Sequence, residues 1–349
     1  MAELLEIGGR SFAPGSRGVI RLDCGRDISH KVIDFEVHVI RGREPGPCVF
    51  VSAGIHGDEI NGIEICRRLL RSRALGKLSG DLIVTPIVNV PAFVARSRYL
   101  PDRRDLNRLF PGSEDGSFGS RIARLFTTEI VANCDYGIDL HTGASNRTNL
   151  PQVRTDFGIE GSRELAAAFG APVVLAANKP PEGSLRHACS EQEVLTMVYE
   201  AGESMRLDVP GIRYGLNGVL NLLRHLEMLP GVRAKAKPPK TTFCKKSFWV
   251  RAPVGGIFRA MTPLGKAVTG ASKLGVIGDP LGDNEVGVFP KDEGVVIGRT
   301  NQATVDEGDA LFHIAVSADI EKAEKRITIS GETVMSDAEP GLYHDPVID

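Results

Sequence analysis

No C-x-x-C pair occurs among the six cysteines, at positions 24, 48, 66, 134, 189 and 244, which leaves a thiolate zinc knuckle without support. Cys48, Cys66 and Cys134 fall in apolar patterns and read as buried free thiols rather than disulfides. No apolar run reaches membrane-spanning length, so no membrane partner is expected. The start, MAELLEIGGRS, has no basic residues followed by an apolar stretch, so a secretory signal is not expected and a reducing cytoplasm suits the cysteines. Charge of one sign is not in excess. The formal net charge of −2 gives no electrostatic reason to expect a nucleic-acid partner. A G-x-S-x-G elbow is missing, which argues against a serine hydrolase. No G-x-G-x-x-G follows the first buried strand, which argues against dinucleotide binding.

What is present is enough apolar residue, 42 % of 349, to fill one large domain or two smaller ones. Residues 32–40 alternate apolar and polar and read as a half-exposed strand. CVFVSAG (48–54) is a continuous apolar run that suits a strand buried on both faces. The following EINGIEICRRLLRSRAL repeats its apolar residues at helical spacing. Strand-like LIVTPIVNV (82–90), YGIDL (ending at Leu140), PVVLAA (172–177) and VLTMVYE (194–200) alternate with helix-like stretches at 120–134, 160–169 and 211–228. This alternation predicts an α/β sheet with helices on both faces, binding its ligand beyond the carboxyl ends of the strands.

Near residue 230 the composition changes. LPGVRAKAKPPKTT reads as a linker. From Phe248 to about Ile314, short strands and Gly or Pro turns take over. RAPVGGIF (251–258) is similar to VFPKDEGVV (288–296), and KAVTGASKLGVI (266–277) to ATVDEGDALFHI (303–314). Two such halves predict a small β barrel or flattened sandwich. The expected division is therefore 1–245 and 246–349. The polar last 30 residues carry no readable element.

Four motifs carry chemistry. GIHGDE places His56 and Glu59 after a buried strand, where a loop His and a Glu three residues on can converge on one zinc ion. Gly54 and Gly57 would let the backbone turn tightly there. DLHTG places His141 at the end of another strand. Asp139, two residues earlier, points to the same face and could orient a ligand. SRYLPDRRDLNRLFPG (97–112) carries Arg98, Arg103, Arg104, Asn107 and Arg108, and arginine forks grip carboxylates. VLTMVYEAGE ends a strand in Glu200, a candidate general base with Glu203 as rival.

Taken together, GIHGDE, DLNR, DLHTG and YEAG, in that order over roughly residues 48–205, resemble the succinylglutamate desuccinylase and aspartoacylase family, a branch of the zinc carboxypeptidase superfamily. The resemblance implies a mixed sheet with helices on both faces and one zinc ion per chain, held by His56, Glu59 and His141. It implies Glu200 as the catalytic acid/base, with Asn107 and Arg108 on the substrate carboxylate. Arg98 is similar to the arginine that polarises the scissile carbonyl. The RY-to-DLNR spacing is two residues longer than the resemblance implies, so Arg103 and Arg104 are alternatives. Arg154, in TNLPQVR after His141, would also face the pocket. The implied activity is hydrolysis of the amide bond of a small N-acyl amino acid, with the acyl group and amino acid open and N-acetylated diamino acids included. A metallocarboxypeptidase acting on peptides is the alternative within enzymes.

The β-rich tail also resembles biotinyl and lipoyl domains, which suggests a carrier or binding protein as a different class. The turn Gly278–Val286 lacks the lysine that a carrier needs, leaving Lys273 and Lys291 as the nearest substitutes. Otherwise the tail reads as a cap that narrows the pocket entrance or as a contact in a homo-oligomer.

Overall fold

The computed structural model describes residues 4–231, 241–282 and 284–336, with side chains described to 333. Most of the Pro- and Lys-rich linker and the end of the polar tail lie outside these residues.

A 13-stranded mixed sheet forms the body. Its centre is four parallel neighbours in the order Leu195–Glu203, Tyr136–Gly143, Cys48–Ala53 and Asp81–Thr85. Cys48–Ala53 is buried along its whole length, as its unbroken apolar run requires. Val32–Arg41 and Arg17–Arg26 extend the sheet antiparallel on one side. On the other side Arg147–Thr155 runs antiparallel to Leu195–Glu203.

Helices cover both faces. Ile60–Leu70, Ser162–Phe169 and Val209–His225 close one core, around Val51, Ile65, Phe169, Tyr199 and Leu222. Phe118–Glu129 and Leu185–Glu191 close the other, around Phe35, Phe50, Phe126 and Leu185. All six cysteines are buried and none is in a disulfide.

Three expectations need correction. The run 82–90 is strand only to Thr85. Pro86 interrupts it, and Val90–Val94 is a short helix with Pro in its first turn and the Asn89 side chain accepting from the Ala92 N–H. The polar tail contains a helix, Ile320–Ser336, which buries Ala323, Ile327 and Ser330 on one side. The β-rich region, finally, stands apart only in part. Gly256–Ala260, Gly275–Gly278, Glu285–Val288 and Thr304–Val305 make a separate four-stranded sheet. Lys246–Arg251, Gly294–Thr300 and Ala310–Val316 instead continue the large sheet, where Gly294–Thr300 pairs with Arg147–Thr155. The two layers enclose Val250, Phe258, Ile277, Val296 and Phe312. The repeat is visible in this arrangement, because Gly256–Ala260 and its counterpart Gly294–Thr300 lie in opposite layers.

Candidate active site

Three adjacent parallel strands deliver the candidate residues to one edge. Glu200 is in register with His141, and Ser52 with Asp139. Side chains alternate along a strand, so Asp139 and His141 share a face and Glu200 shares it with them. His56 and Glu59 come from the loop after Cys48–Ala53. Gly54 enters that loop with φ +64°, which a residue with Cβ adopts only with strain. Gly57 has a different reason from the tight turn expected of it: a Cβ there would stand 2.0 Å from the Ala92 carbonyl carbon. The loop is pressed against the helix Val90–Val94.

His56, Glu59 and His141 converge. Nδ1 of His56 is 2.8 Å from Oε1 of Glu59, and Nδ1 of His141 is 2.8 Å from its Oε2. Glu59 is the residue preceding helix Ile60–Leu70, yet its side chain caps no helical N–H. It accepts instead from the Thr142 N–H. The outer nitrogens are also held. Nε2 of His56 is 3.1 Å from Asp105 Oδ1, and Nε2 of His141 is 2.7 Å from Asp139 Oδ2. Ser52 donates to the other oxygen of Asp139.

The electrostatics follow from burial and these pairs. Burial resists ionisation of Glu59, but the two imidazoles outweigh it and hold its carboxyl far below the ordinary range. Burial likewise opposes charge on His141, and Asp139 and Glu59 overcome it, raising its pKa well above normal. A ring flanked by carboxylates at both nitrogens is a strong proton holder, or a strong cation ligand if a metal displaces the inner proton.

The donor set suits zinc. One atom from each of the three side chains lies within 4.8 Å of the others, and two imidazoles with one carboxylate are donor types that zinc takes while keeping a position open. Carboxylates on the outer nitrogens are the supports that metal-bound histidines use.

His56, Glu59, Asp139 and His141 line a cavity of about 290 Å³. Glu200 lies in its wall, where Oε2 accepts from Asn149 Nδ2 (2.6 Å) and Arg154 Nη2 (3.1 Å). Glu203 is not among the lining residues; its carboxylate accepts from Asn301. Arg98 lines the cavity and bridges Glu59 and Asp105. Arg103 is exposed and Arg104 pairs with Asp102, so neither reaches the cavity. Asn107 and Arg108 line it too. Asn107 Oδ1 accepts from the Leu185 N–H, which leaves its NH2 group as the part able to meet a ligand.

Four lining residues had no clear signal in the sequence. Asn149 and Arg147 come from Arg147–Thr155, Arg186 from Leu185–Glu191, and Trp249 from the β-rich region. Asp105 opens DLNR and could have been suspected as a partner for a histidine. The Arg186 side chain makes no hydrogen bond or ion pair among the described residues. Burial and the neighbouring Arg154 lower its pKa against the pull of Asp156, Glu200 and Asp139.

A mixed α/β sheet carrying a His–Glu–His cluster at the carboxyl edge of its parallel strands defines the class. Residues 45–226 match the model of the succinylglutamate desuccinylase/aspartoacylase catalytic domain, and the chain belongs to that family. It is 28 % identical over 313 residues to N-alpha-acetyl-L-2,4-diaminobutyric acid deacetylase of Halomonas elongata, covering 85 % of this chain and 90 % of that one. It is 33 % identical over 143 residues to succinylglutamate desuccinylase of Burkholderia lata, a match spanning 35 % of this chain and 40 % of that protein. Among solved structures, the product-bound ectoine utilization protein of Ruegeria pomeroyi, 25 % identical, aligns with TM-score 0.77 over 86 % of this chain and 95 % of that one. A succinylglutamate desuccinylase/aspartoacylase from Rhodobacter sphaeroides, 24 % identical, shares the fold at TM-score 0.77 over 86 % of this chain and 95 % of that chain. The family is one of deacylases. No helix among the described residues is long and apolar enough to cross a membrane.

Proposed function

We propose that this protein is a zinc-dependent amidohydrolase that removes the acyl group from a small N-acyl amino acid. The observation that carries the reading is the meeting of His56, Glu59 and His141 in a cavity that Glu200 lines from the neighbouring strand. His56, Glu59 and His141 would hold the zinc, with Nδ1 of each ring turned toward Glu59. When bound, the ion supplies Lewis acidity, making water a better nucleophile and an amide carbonyl a better electrophile.

The chain's own residues do the rest. Glu200 takes a proton from the attacking water as the oxygen–carbon bond forms. It returns that proton to the nitrogen as the carbon–nitrogen bond breaks. Asn149 and Arg154 hold the Glu200 carboxylate in place for both transfers. Arg98, fixed by Glu59 and Asp105, is the cation assigned to the developing oxyanion. Asn107 and Arg108 are assigned to the substrate carboxylate. Arg186, without a carboxylate of its own, is added to them.

Residues 1–245 then act as the catalytic unit, and 246–349 as the unit that walls it through Trp249. A cavity of this size favours a small substrate over a peptide, which sets the carboxypeptidase alternative second. A carrier role has no lysine in the 278–286 turn, and the Lys291 ammonium rests on the Phe248 ring.

The test is metal analysis followed by a panel of N-acetyl and N-succinyl amino acids with detection of free amine. One zinc per chain and hydrolysis of at least one compound are expected. Glu200→Gln is expected to lower kcat at least ~100-fold while the zinc content stays the same. A Gln variant with near-normal rate would remove Glu200 from its role.

A further inference from the structure

Five guanidinium groups, of Arg98, Arg108, Arg147, Arg154 and Arg186, line a cavity that holds three carboxylates, of Glu59, Asp139 and Glu200. Arg98 is paired with Glu59 and Arg154 with Glu200. Arg147 has no hydrogen-bond or ion-pair partner for its side chain among the described residues, and its Nε is buried and unsatisfied. Asp309 attracts it from a distance and Arg251 repels it. A partly buried cation of this kind is costly to hold unless something else pairs with it.

What holds Arg147 is an aromatic stack. Its guanidinium carbon lies 4.5 Å from the centre of the Trp249 ring. Trp249 in turn stacks on His313, with centroids 4.4 Å apart and planes 11° from parallel. Trp249 and His313 are partners in register on neighbouring strands, and the next strand offers Gly298, which has no side chain to intrude. Stacking occupies the face of a guanidinium and leaves the N–H groups at its edge available, the arrangement that receives a planar carboxylate.

We propose that Arg147, laid against Trp249, is a specificity-determining residue that selects substrates bearing a carboxylate beyond the one assigned to Asn107, Arg108 and Arg186. The proposal rests on the amidohydrolase reading of the cavity and narrows its substrate class to N-acyl amino acids with at least two carboxylates. The second carboxylate is carried either by the acyl group or by the amino-acid side chain. The first relative named above acts instead on a substrate with an amino side chain, so the proposal separates this protein from it.

Trp249 is the chain's single tryptophan, so its fluorescence reports this site directly. The experiment titrates the zinc-loaded Glu200→Gln protein, which is not expected to turn the compounds over. N-succinyl-L-alanine carries the extra carboxylate on the acyl group, N-acetyl-L-glutamate carries it on the side chain, and N-acetyl-L-alanine and N-acetyl-2,4-diaminobutyrate lack it. At least one of the first two is expected to change Trp249 emission and bind ~10- to 100-fold tighter than the last two, the worth of a charge-assisted pair. The one that does so identifies where the second carboxylate sits.

Adding Arg147→Met, which keeps an aliphatic stem against the ring, is expected to erase that preference. Arg147→Lys is expected to restore part of it. An unchanged melting curve and unchanged far-UV circular dichroism would mark the variants as folded. If Arg147→Met is misfolded, Arg147→Gln takes its place and is expected to erase the preference in the same way. Equal binding of all four compounds, no binding of any, or an equal loss for all four in Arg147→Met would overturn the proposal. Zinc content and amine release from the panel, measured on the unsubstituted protein, judge the amidohydrolase reading separately.

Discussion

Asp105 and Asp139 each hold a histidine ring from the side away from Glu59, which sets both the tilt of the ring and the nitrogen left to face inward. Removing such a support weakens metal affinity without removing a ligand atom. Asp139→Asn is expected to lower zinc affinity roughly 10- to 100-fold, read by competition with a chelator. A second residue-scale consequence concerns His313, whose pKa is lowered to about 3 by burial and by Arg154 and Arg147. The folded protein keeps this ring neutral, whereas the unfolded chain protonates it below about 6.5. Its contribution to stability is therefore complete above pH 6.5 and is lost as pH falls from there toward 3. Between pH 6.5 and about 4.5 the native protein is expected to lose about 2 kcal/mol more than His313→Gln does, measured as urea midpoints by circular dichroism. His56, Glu59, His141 and Glu200 were readable in the sequence because each sits at a strand end within a short motif. Arg147, Arg186 and Trp249 were not, because only tertiary structure brings them to the cavity, and nothing in their neighbouring residues marks them.

Most elements followed from periodicity. Apolar spacing marked CVFVSAG and YGIDL as strands and EINGIEICRRLLRSRAL as a helix, and the structure has Cys48–Ala53, Tyr136–Gly143 and Ile60–Leu70 there. The run 82–90 misled because its apolar content continues past Pro86 while its backbone does not. The helix Ile320–Ser336 was hidden by its polar, Thr- and Ser-rich character. Ala323, Ile327 and Ser330 do recur at helical spacing, but so narrow a stripe needs the packed neighbour to declare itself. The loop carrying His56 and Glu59 depends on an element contact that its sequence does not announce. Gly57 touches the backbone of Ala92 and Phe93, so a methyl group there would push the loop off the helix Val90–Val94. Gly57→Ala is expected to cost about 2–3 kcal/mol of stability and to weaken zinc binding, read by thermal melting and metal titration. Gly76, with open space around its would-be Cβ, is the control, and Gly76→Ala is expected to leave both unchanged.

At the scale of the whole molecule, the β-rich region is joined to the catalytic sheet rather than placed beside it. Periodicity alone predicted two units, since short strands look alike whether they close a sheet of their own or extend another. The pairing of Gly298 with Asn149 and of Thr300 with Arg147 makes the difference. A chain ending at residue 245 would leave the Arg147 end of Arg147–Thr155 unpaired and uncover apolar surface around Val295 and Ile297's partners, Val173 and Leu175. Such a truncation is expected to be insoluble or aggregated in size-exclusion chromatography, whereas two independent domains would leave a soluble fragment.

That seam has a further consequence for how selectivity in this scaffold can change. The row Trp249, His313, Gly298 and Asn149 crosses four strands and ends on the residue that donates to Glu200. A graft that exchanged the rear of the molecule for a relative's would thus disturb the Glu200 carboxylate along with the Trp249 wall of the cavity. New preferences are reached more safely by single changes on the row than by exchanging modules.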